Sequence, residues 1–534
     1  MNGTVTSPSA TLLPPALQML RLPAAAWLVF VVTTLLYHNA VLNHFYAYGS
    51  GTDPFWFAGV MWHGDLALHG PPGIDERSFF TVHLSPLLML PALLSHVLPF
   101  DLQQWLALVL GVMHGFTSAA LTWCVCKAFG QDQNWKTQAM AIAVGAAYAG
   151  CALQAEFMGL PHYEIVIPGL MIAFMAALAL RRQVAAIVFF VLALSAREDV
   201  GLHVFAFLAT LVTLVRWRDG YWLQPELRFG IAALVASLLL MVVVPQFIPE
   251  HQSLFHEHYV GDPPFAQLTW QNVQTRLQFF ALQSGHIWGP PLALLVAAIL
   301  RRDPLTAVGG LAVLPWIALH TLFGIHLTVW TMGFYYAFPV LAAMAWPSLL
   351  RLYRTKPAMV ESNDRGWLWL QLVVVLLASL PMFGKDLPMY GSRYAFFSFS
   401  SPSSLARLEA YEQFQQLLPT GRPALGNVVA NLAAVALDPF TLKRSEWLEA
   451  LPVEDANALA KIDTILLFAA PYSCPGIDQL LARLRLPFAW EVPGTRIKLF
   501  TRKTPEELAT FSQVLVRSAS RENHCGDPLT AVRK

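Results

Sequence analysis

The residues best equipped for chemistry sit between long apolar segments, where an acid is costly to keep. Asp53 follows the pliable run Tyr48-Gly49-Ser50-Gly51-Thr52 and precedes Pro54-Phe55-Trp56. A carboxylate placed there can act as general base toward an acceptor hydroxyl or as ligand to a divalent cation. It can equally cap a helix that begins at Pro54, a role that suits the Asp-Pro order. Farther along the same stretch lie Asp65, Asp75-Glu76-Arg77 and Thr81-Val82-His83-Leu84-Ser85-Pro86. His83 can hold a phosphate, bind a metal or move a proton, or it can simply cap an interfacial helix. Two further groups have the same composition: Pro161-His162-Tyr163-Glu164 and Ala196-Arg197-Glu198-Asp199. Three charges in a row between apolar spans need partners or a water-filled cavity. Arg197 is therefore either a clamp for a phosphate or carboxylate or one half of an ion pair with Glu198 or Asp199. His251, His256, Glu257 and His258 read as a polar loop or as a metal site short of a third placed ligand. His320 and His326 read as lone histidines.

The elements that must position these groups follow from composition. Of 534 residues 56% are hydrophobic and 13% charged, with mean hydropathy +0.50; a soluble chain carries about 25% charged residues. The chain is a polytopic membrane protein, and its net charge of +1 says little, because orientation depends on how Lys and Arg are shared between loops. The N-terminus shows no basic stretch leading into an apolar core with a small-residue cleavage site, so the first span is expected to be a retained anchor. Eleven runs are long enough to be spans, the last near Gly366 to Phe383. A twelfth apolar run, Val82 to Leu98, contains Pro86 and Pro91 and is followed at once by Pro99, as a broken juxtamembrane helix would be.

Treating that run as non-spanning places Arg21, Lys127, Lys136, Arg181, Arg182, Arg216, Arg218, Arg228, Arg301, Arg302, Arg351, Arg354, Lys356 and Arg365 inside. Only Arg77, Arg197 and Arg276 remain outside before the last span. The N-terminus is then cytoplasmic, and every acid and histidine group named above faces the extracytoplasmic side. Residues 1–384 are expected to form the membrane domain, with a first outer loop at 43–100. Residues 385–534 are expected to form a small extracytoplasmic α/β domain, in which TILLFAA and IKLFTRK read as strands and LARLEAYEQFQQLL and GIDQLLARLRL as helices. Cys124, Cys126 and Cys151 read as buried apolar residues. Cys474 and Cys525 would be free to pair in an oxidising compartment or to remain two thiols. The chain contains no Walker loop, no GxGxxG entering a helix and no HExxH, and nothing in it supports nucleic-acid binding.

TDPFWFAGVMW, the His-Leu-Ser-Pro entry, PHYEIVIPGLMIAF and REDVGL together resemble, in order, the motifs of a bacterial polytopic membrane family, a domain of unknown function grouped with the GT-C glycosyltransferases. Two positions depart from the family pattern: Tyr163 stands where proline is usual and Arg197 where lysine is usual. The resemblance implies a GT-C architecture of about eleven transmembrane helices in the bacterial inner (cytoplasmic) membrane. It further implies sugar transfer from a polyprenyl-phosphate donor to an extracytoplasmic acceptor, with membrane lipids as surroundings. Asp53, Glu76 and His83 are then expected to be catalytic, and His162, Glu164, Arg197, Glu198 and Asp199 to bind substrate. A divalent cation, if used, would fall to Asp53 and His83. The competing readings are a transporter or flippase of a lipid-linked molecule and a non-catalytic envelope scaffold. A transporter would carry ionisable residues at mid-membrane and often an internal repeat; no convincing repeat is present, and the charges gather at helix ends.

Overall fold

The computed structural model describes residues 23–47, 53–71, 74–129, 135–158, 161–251, 254–333, 335–354, 364–379, 414, 418, 423–430, 456–468, 483–484, 486–493, 497–509 and 515–517. The membrane portion is a helix bundle. Its first pieces are α1 (Ala24–Ala47), α2 (Asp53–His63), the short α3 (Met89–Ser95), α4 (Leu102–Phe129), α5 (Trp135–Ala149) and α6 (Ala152–Glu156). These are followed by α7 (Val166–Ala179), α8 (Gln183–Leu194), α9 (Val200–Asp219), α10 (Gln224–Leu238), α11 (Trp270–Gln283) and α12 (Gly285–Arg301). Last come α13 (Val308–Ala318), α14 (Leu327–Trp330), α15 (Phe338–Ala343), α16 (Trp346–Tyr353) and α17 (Asp364–Leu377).

Among the described residues six stretches are long and apolar enough to cross a bilayer: Ala24–Asn43, Leu102–Phe129, Trp135–Glu156, Val200–Asp219, Gln224–Phe247 and Pro304–Phe323. Tyr163–Ala179, Gln183–Leu194, Gly285–Arg301 and Gly366–Leu377 are apolar but shorter. Twelve helical residues rise only about 18 Å against a hydrocarbon core of about 30 Å. The expected span from Phe334 to Leu350 is split into α15 and α16. Pro339 and Pro347 each stand in the first turn of the helix they open, where a missing N–H does no harm; Pro347 could not continue α15 without removing a backbone bond. The run from Val82 to Leu98 forms no spanning helix: α3 has seven residues, preceded by a 3-10 turn at Pro86–Leu88. Its Leu90, Leu93, Leu94 and Val97 side chains are exposed, as suits a helix lying along an apolar boundary.

Lipid-facing surfaces are legible as exposed apolar stripes. On α1 these are Trp27, Leu28, Val31, Val32 and Leu35; on α8, Val184, Ile187, Val188 and Val191. The opposite case is α7, buried from Val166 to Leu178, which makes it the axis of the bundle. It packs on α4 and α8, while α1 runs along α4. Small residues bring α1 and α4 close: a Cβ at Gly111 would stand 2.7 Å from the Thr34 carbonyl oxygen, and one at Gly115 2.8 Å from that of Phe30.

Beyond the bundle lies a five-stranded sheet in the order β1-β2-β4-β3-β5, made of Val428–Ala430, Thr464–Phe468, Phe488–Glu491, Ile497–Thr501 and Val516–Arg517 in chain order. β1 and β2 are parallel, and the remaining pairs are antiparallel. The two stretches read as strands are β2 and β4, adjacent in register from Thr464 opposite Thr501 to Phe468 opposite Ile497. A separate core of Val429, Leu459, Ile462, Ile465, Leu467, Leu484, Leu486, Ala489 and Phe500 backs the sheet. The two helices expected at 405–418 and 476–486 fall largely outside the described residues, as do Cys474 and Cys525. Cys124, Cys126 and Cys151 are buried and unpaired.

Candidate active site

The turn that joins α8 to α9 organises the site. Arg197 is buried, and its guanidinium meets Glu164 through Nη1 at 3.4 Å and Asp199 through Nε at 3.0 Å. Glu164 belongs to the 3-10 turn Tyr163–Ile165 that opens α7, and its carboxylate also contacts Nδ1 of His162. Asp199 has His203, one turn later on α9, at 3.8 Å. Glu198 points the other way: one carboxylate oxygen lies 3.0 Å from His83 Nδ1, and the other accepts the Leu84 backbone N–H at 3.0 Å. The loop after α2 is therefore pinned to the start of α9. A further bond repeats the attachment, from Leu87 N–H to the Ser195 carbonyl at 2.8 Å, while the Ser85 and Tyr163 hydroxyls, 2.7 Å apart, tie the same loop to the turn that opens α7.

The local fold sets these contacts. Gly201 allows α9 to press on α10 at a spot where a Cβ would overlap the Ala233 carbonyl oxygen. Ser237 of α10 then donates to the Glu198 carbonyl at 2.7 Å, which holds the turn. The loop after α2 closes on itself: Trp56 Nε1 donates to the Asp75 carbonyl at 3.3 Å, and Phe79 N–H donates to the Leu68 carbonyl at 2.8 Å. Arg77 holds the Asp75 carboxylate in a two-point contact, through Nη2 at 2.7 Å and Nε at 3.0 Å.

Burial alone would raise the Asp199 and Glu198 carboxyls. For Asp199 the Arg197 guanidinium, His203 and His83 together outweigh it, and for Glu198 the adjacent His83 and then Arg197 do, so both are held below the usual carboxylate range. Arg197 stays charged despite its burial because the negative charge of Asp199, and then of nearby Glu198, favours its cationic form. Within the cluster the three carboxylates outnumber the one guanidinium. Aromatic rings wall the arrangement: Tyr335 stacks on His162 with ring centroids 4.3 Å apart, and the Arg197 guanidinium lies 6.0 Å above the Tyr335 ring.

Of the residues expected from sequence, the structure brings His83, His162, Glu164, Arg197, Glu198 and Asp199 together. Glu76 is exposed on the loop beside the Asp75–Arg77 pair. Asp53 opens α2, and its side chain lies outside the described residues. The helix it starts reaches the cluster one turn later, where Phe57 packs edge-on against His162 with centroids 4.5 Å apart. Sequence reasoning missed His203, although its i+4 spacing from Asp199 announces a shared helix face. It also missed Glu156, an acid closing an apolar span, which pairs with His286 of α12 at 2.7 Å in full burial. His286 had no local signal, because its partner lies far back in the chain.

Fold and site together define a multi-pass helical membrane protein with an ionisable cluster buried at one set of helix ends. The chain belongs to the predicted membrane protein family DUF2079, which matches it over residues 62–431. Among solved structures it is similar to ArnT from Cupriavidus metallidurans bound to undecaprenyl phosphate, with TM-score 0.48 and 14% identity over 90% of this chain and 98% of that one. The apo form of the same protein matches with TM-score 0.45 and 13% identity, over 89% and 98% of the two chains. No curated protein matches the sequence.

Proposed function

We propose that the protein is a GT-C-type membrane glycosyltransferase that moves a sugar from a polyprenyl-phosphate donor to an extracytoplasmic acceptor. The observation that carries this reading is the convergence of His83, Glu164, Arg197, Glu198 and Asp199, drawn from three separate stretches, on one buried cluster beside the helix that begins at Asp53. In this mechanism Asp53 accepts the proton of the acceptor hydroxyl as its oxygen attacks the anomeric carbon. The bond to the lipid phosphate breaks on the opposite face, and the phosphate leaves with the electron pair. Arg197, held in place by Glu164 and Asp199, offers its remaining guanidinium edge to a phosphate oxygen, and His83 offers its second ring nitrogen. Glu76 then stands at the exposed edge of the site, where an acceptor would enter. Glu156 and His286 close and open their helices, so this buried pair also belongs to helix ends and gives transport no mid-membrane relay.

The orientation proposed for this reaction puts Lys136, Arg182, Arg301 and Lys356 inside and His162, His258 and Cys474 outside. Accessibility labelling of single-cysteine variants checks it, and a cytoplasmic Cys474 would overturn it. Asp53→Asn should abolish sugar transfer while leaving thermal stability in detergent unchanged, since Asn caps a helix about as well as Asp. Full transfer by Asp53→Asn with a polyprenyl-phosphate sugar would remove Asp53 from its role.

A further inference from the structure

The polar loop at 251–258, ambiguous in the sequence, acquires its missing partner in the fold. Glu257 and His258 lie on one turn, and His326, distant in the chain, arrives beside them. One ligand atom from each of the three lies within 4.8 Å of the other two. We propose that Glu257, His258 and His326 bind a divalent transition metal of the zinc class, with at least one coordination position left open.

The donor set has the chemistry of such a site: two imidazoles and one carboxylate suit zinc, and three protein ligands leave a fourth position for water or a substrate oxygen. Ligand atoms around tetrahedral zinc stand roughly 3.3 Å apart for bonds of about 2.0 Å, so from separations within 4.8 Å the three need close in by at most about 1.5 Å. Glu257 and His326 are exposed and have room to rotate.

The backbone beneath them is fixed. Ile325 N–H donates to the His258 carbonyl at 2.8 Å, and Gln267 Nε2 donates at 2.8 Å both to the Tyr259 carbonyl and to that of Phe323. These bonds staple the segment bearing Glu257 and His258 to the one bearing His326. The His258 and His326 rings stand nearly perpendicular, at 88°, with centroids 5.6 Å apart. The Tyr336 hydroxyl lies 3.5 Å from His258 Nδ1, an outer contact that orients the ring and leaves Nε2 for the metal. Tyr336 also connects this site to the carboxylate cluster: the Tyr335 hydroxyl, whose ring stacks on His162, donates to that of Tyr336 at 3.3 Å.

This assignment stands independently of sugar transfer, because it is read by binding. Full-length protein purified in detergent, stripped with chelator and titrated with zinc sulfate should take up one equivalent and gain thermal stability. His326→Ala and Glu257→Gln, both at exposed positions, should fold as wild type. Each should lower zinc affinity by about 100-fold or more, because losing an inner ligand costs at least as much as losing an outer partner, roughly 10- to 100-fold. His326→Asp, which keeps a ligand, should recover part of that loss. His83→Gln should bind as wild type does. No uptake by the stripped wild type, wild-type affinity in His326→Ala, or loss of binding only in His83→Gln would each overturn the site.

Discussion

The two ends of α9 carry the same kind of residue in opposite circumstances. At its start Arg197 is buried between Glu164 and Asp199; at its end Arg218 pairs with Asp219 at 2.6 Å and with Asp303 at 3.1 Å on the surface. Asp303 also contacts Arg354, and Arg301 lies 4.1 Å over the Trp367 ring, so the far end is an exposed belt of cations tying helix ends together. Exposed pairs contribute at most about 1 kcal/mol each, and such a belt serves mainly to fix orientation in the membrane. Buried charges must each be met by a partner or the fold suffers. In the proposed reading three carboxylates and a guanidinium are retained in an apolar bundle because they act on a substrate, and that separates the site from the anchor.

The comparison can be broken by mutation, and the largest expected effect is at Arg197. Arg197→Met leaves Glu164, Glu198 and Asp199 without their cation and should cost about 3–5 kcal/mol, read as unfolding in detergent. A loss no greater than that of Arg218→Ala would erase the distinction. The same variant should reverse the pH response. In the wild type the Asp199 and Glu198 carboxyls titrate below their unfolded values, so the stability they contribute is complete above about pH 4–5 and is lost as pH falls further. Without Arg197, burial, the largest influence on Asp199, is opposed only by His203 and His83, and Asp199 should rise above its unfolded value. Stability then declines as pH rises from about 4 toward neutrality, by at most about 1.4 kcal/mol per pH unit for one proton. Melting temperature against pH for the two proteins gives the sign directly, and parallel curves would contradict the pairing.

A smaller change is expected from His83→Gln, which removes a hydrogen bond to a charged carboxylate while Leu84 N–H keeps the other oxygen. The cost should be about 1.5–3 kcal/mol, with wild-type stability as the contrary result. Arg218→Ala should be the mildest, within about 1 kcal/mol, and its effect should shrink further in high salt. A salt-insensitive loss of several kcal/mol would show the belt to be structural in the way the buried cluster is.

Composition and periodicity settled much of this protein before any coordinates. Apolar runs mark the helices because a bilayer accepts little else, and the prolines within and just after Val82–Leu98 already told against a span. Most of the acids and histidines that matter stood out because each interrupts apolar sequence; His203 was missed, although its i+4 spacing from Asp199 marks a single helix face. TILLFAA and IKLFTRK declared themselves strands by their β-branched and aromatic content. What sequence left open was which charge meets which. Arg197 had adjacent acids available, yet it reaches across to Glu164 while Glu198 turns away to His83. His326 read as solitary until the staple through Ile325 and Gln267 set it beside Glu257 and His258, and Glu156 found His286 only through the meeting of two helices. Helix formation is governed by neighbours within a turn, and its rules can be read locally. Partner choice depends on how closely whole helices approach, which contacts such as Gly111 on Thr34, Gly115 on Phe30 and Gly201 on Ala233 decide, and that distance exists only in the packed bundle.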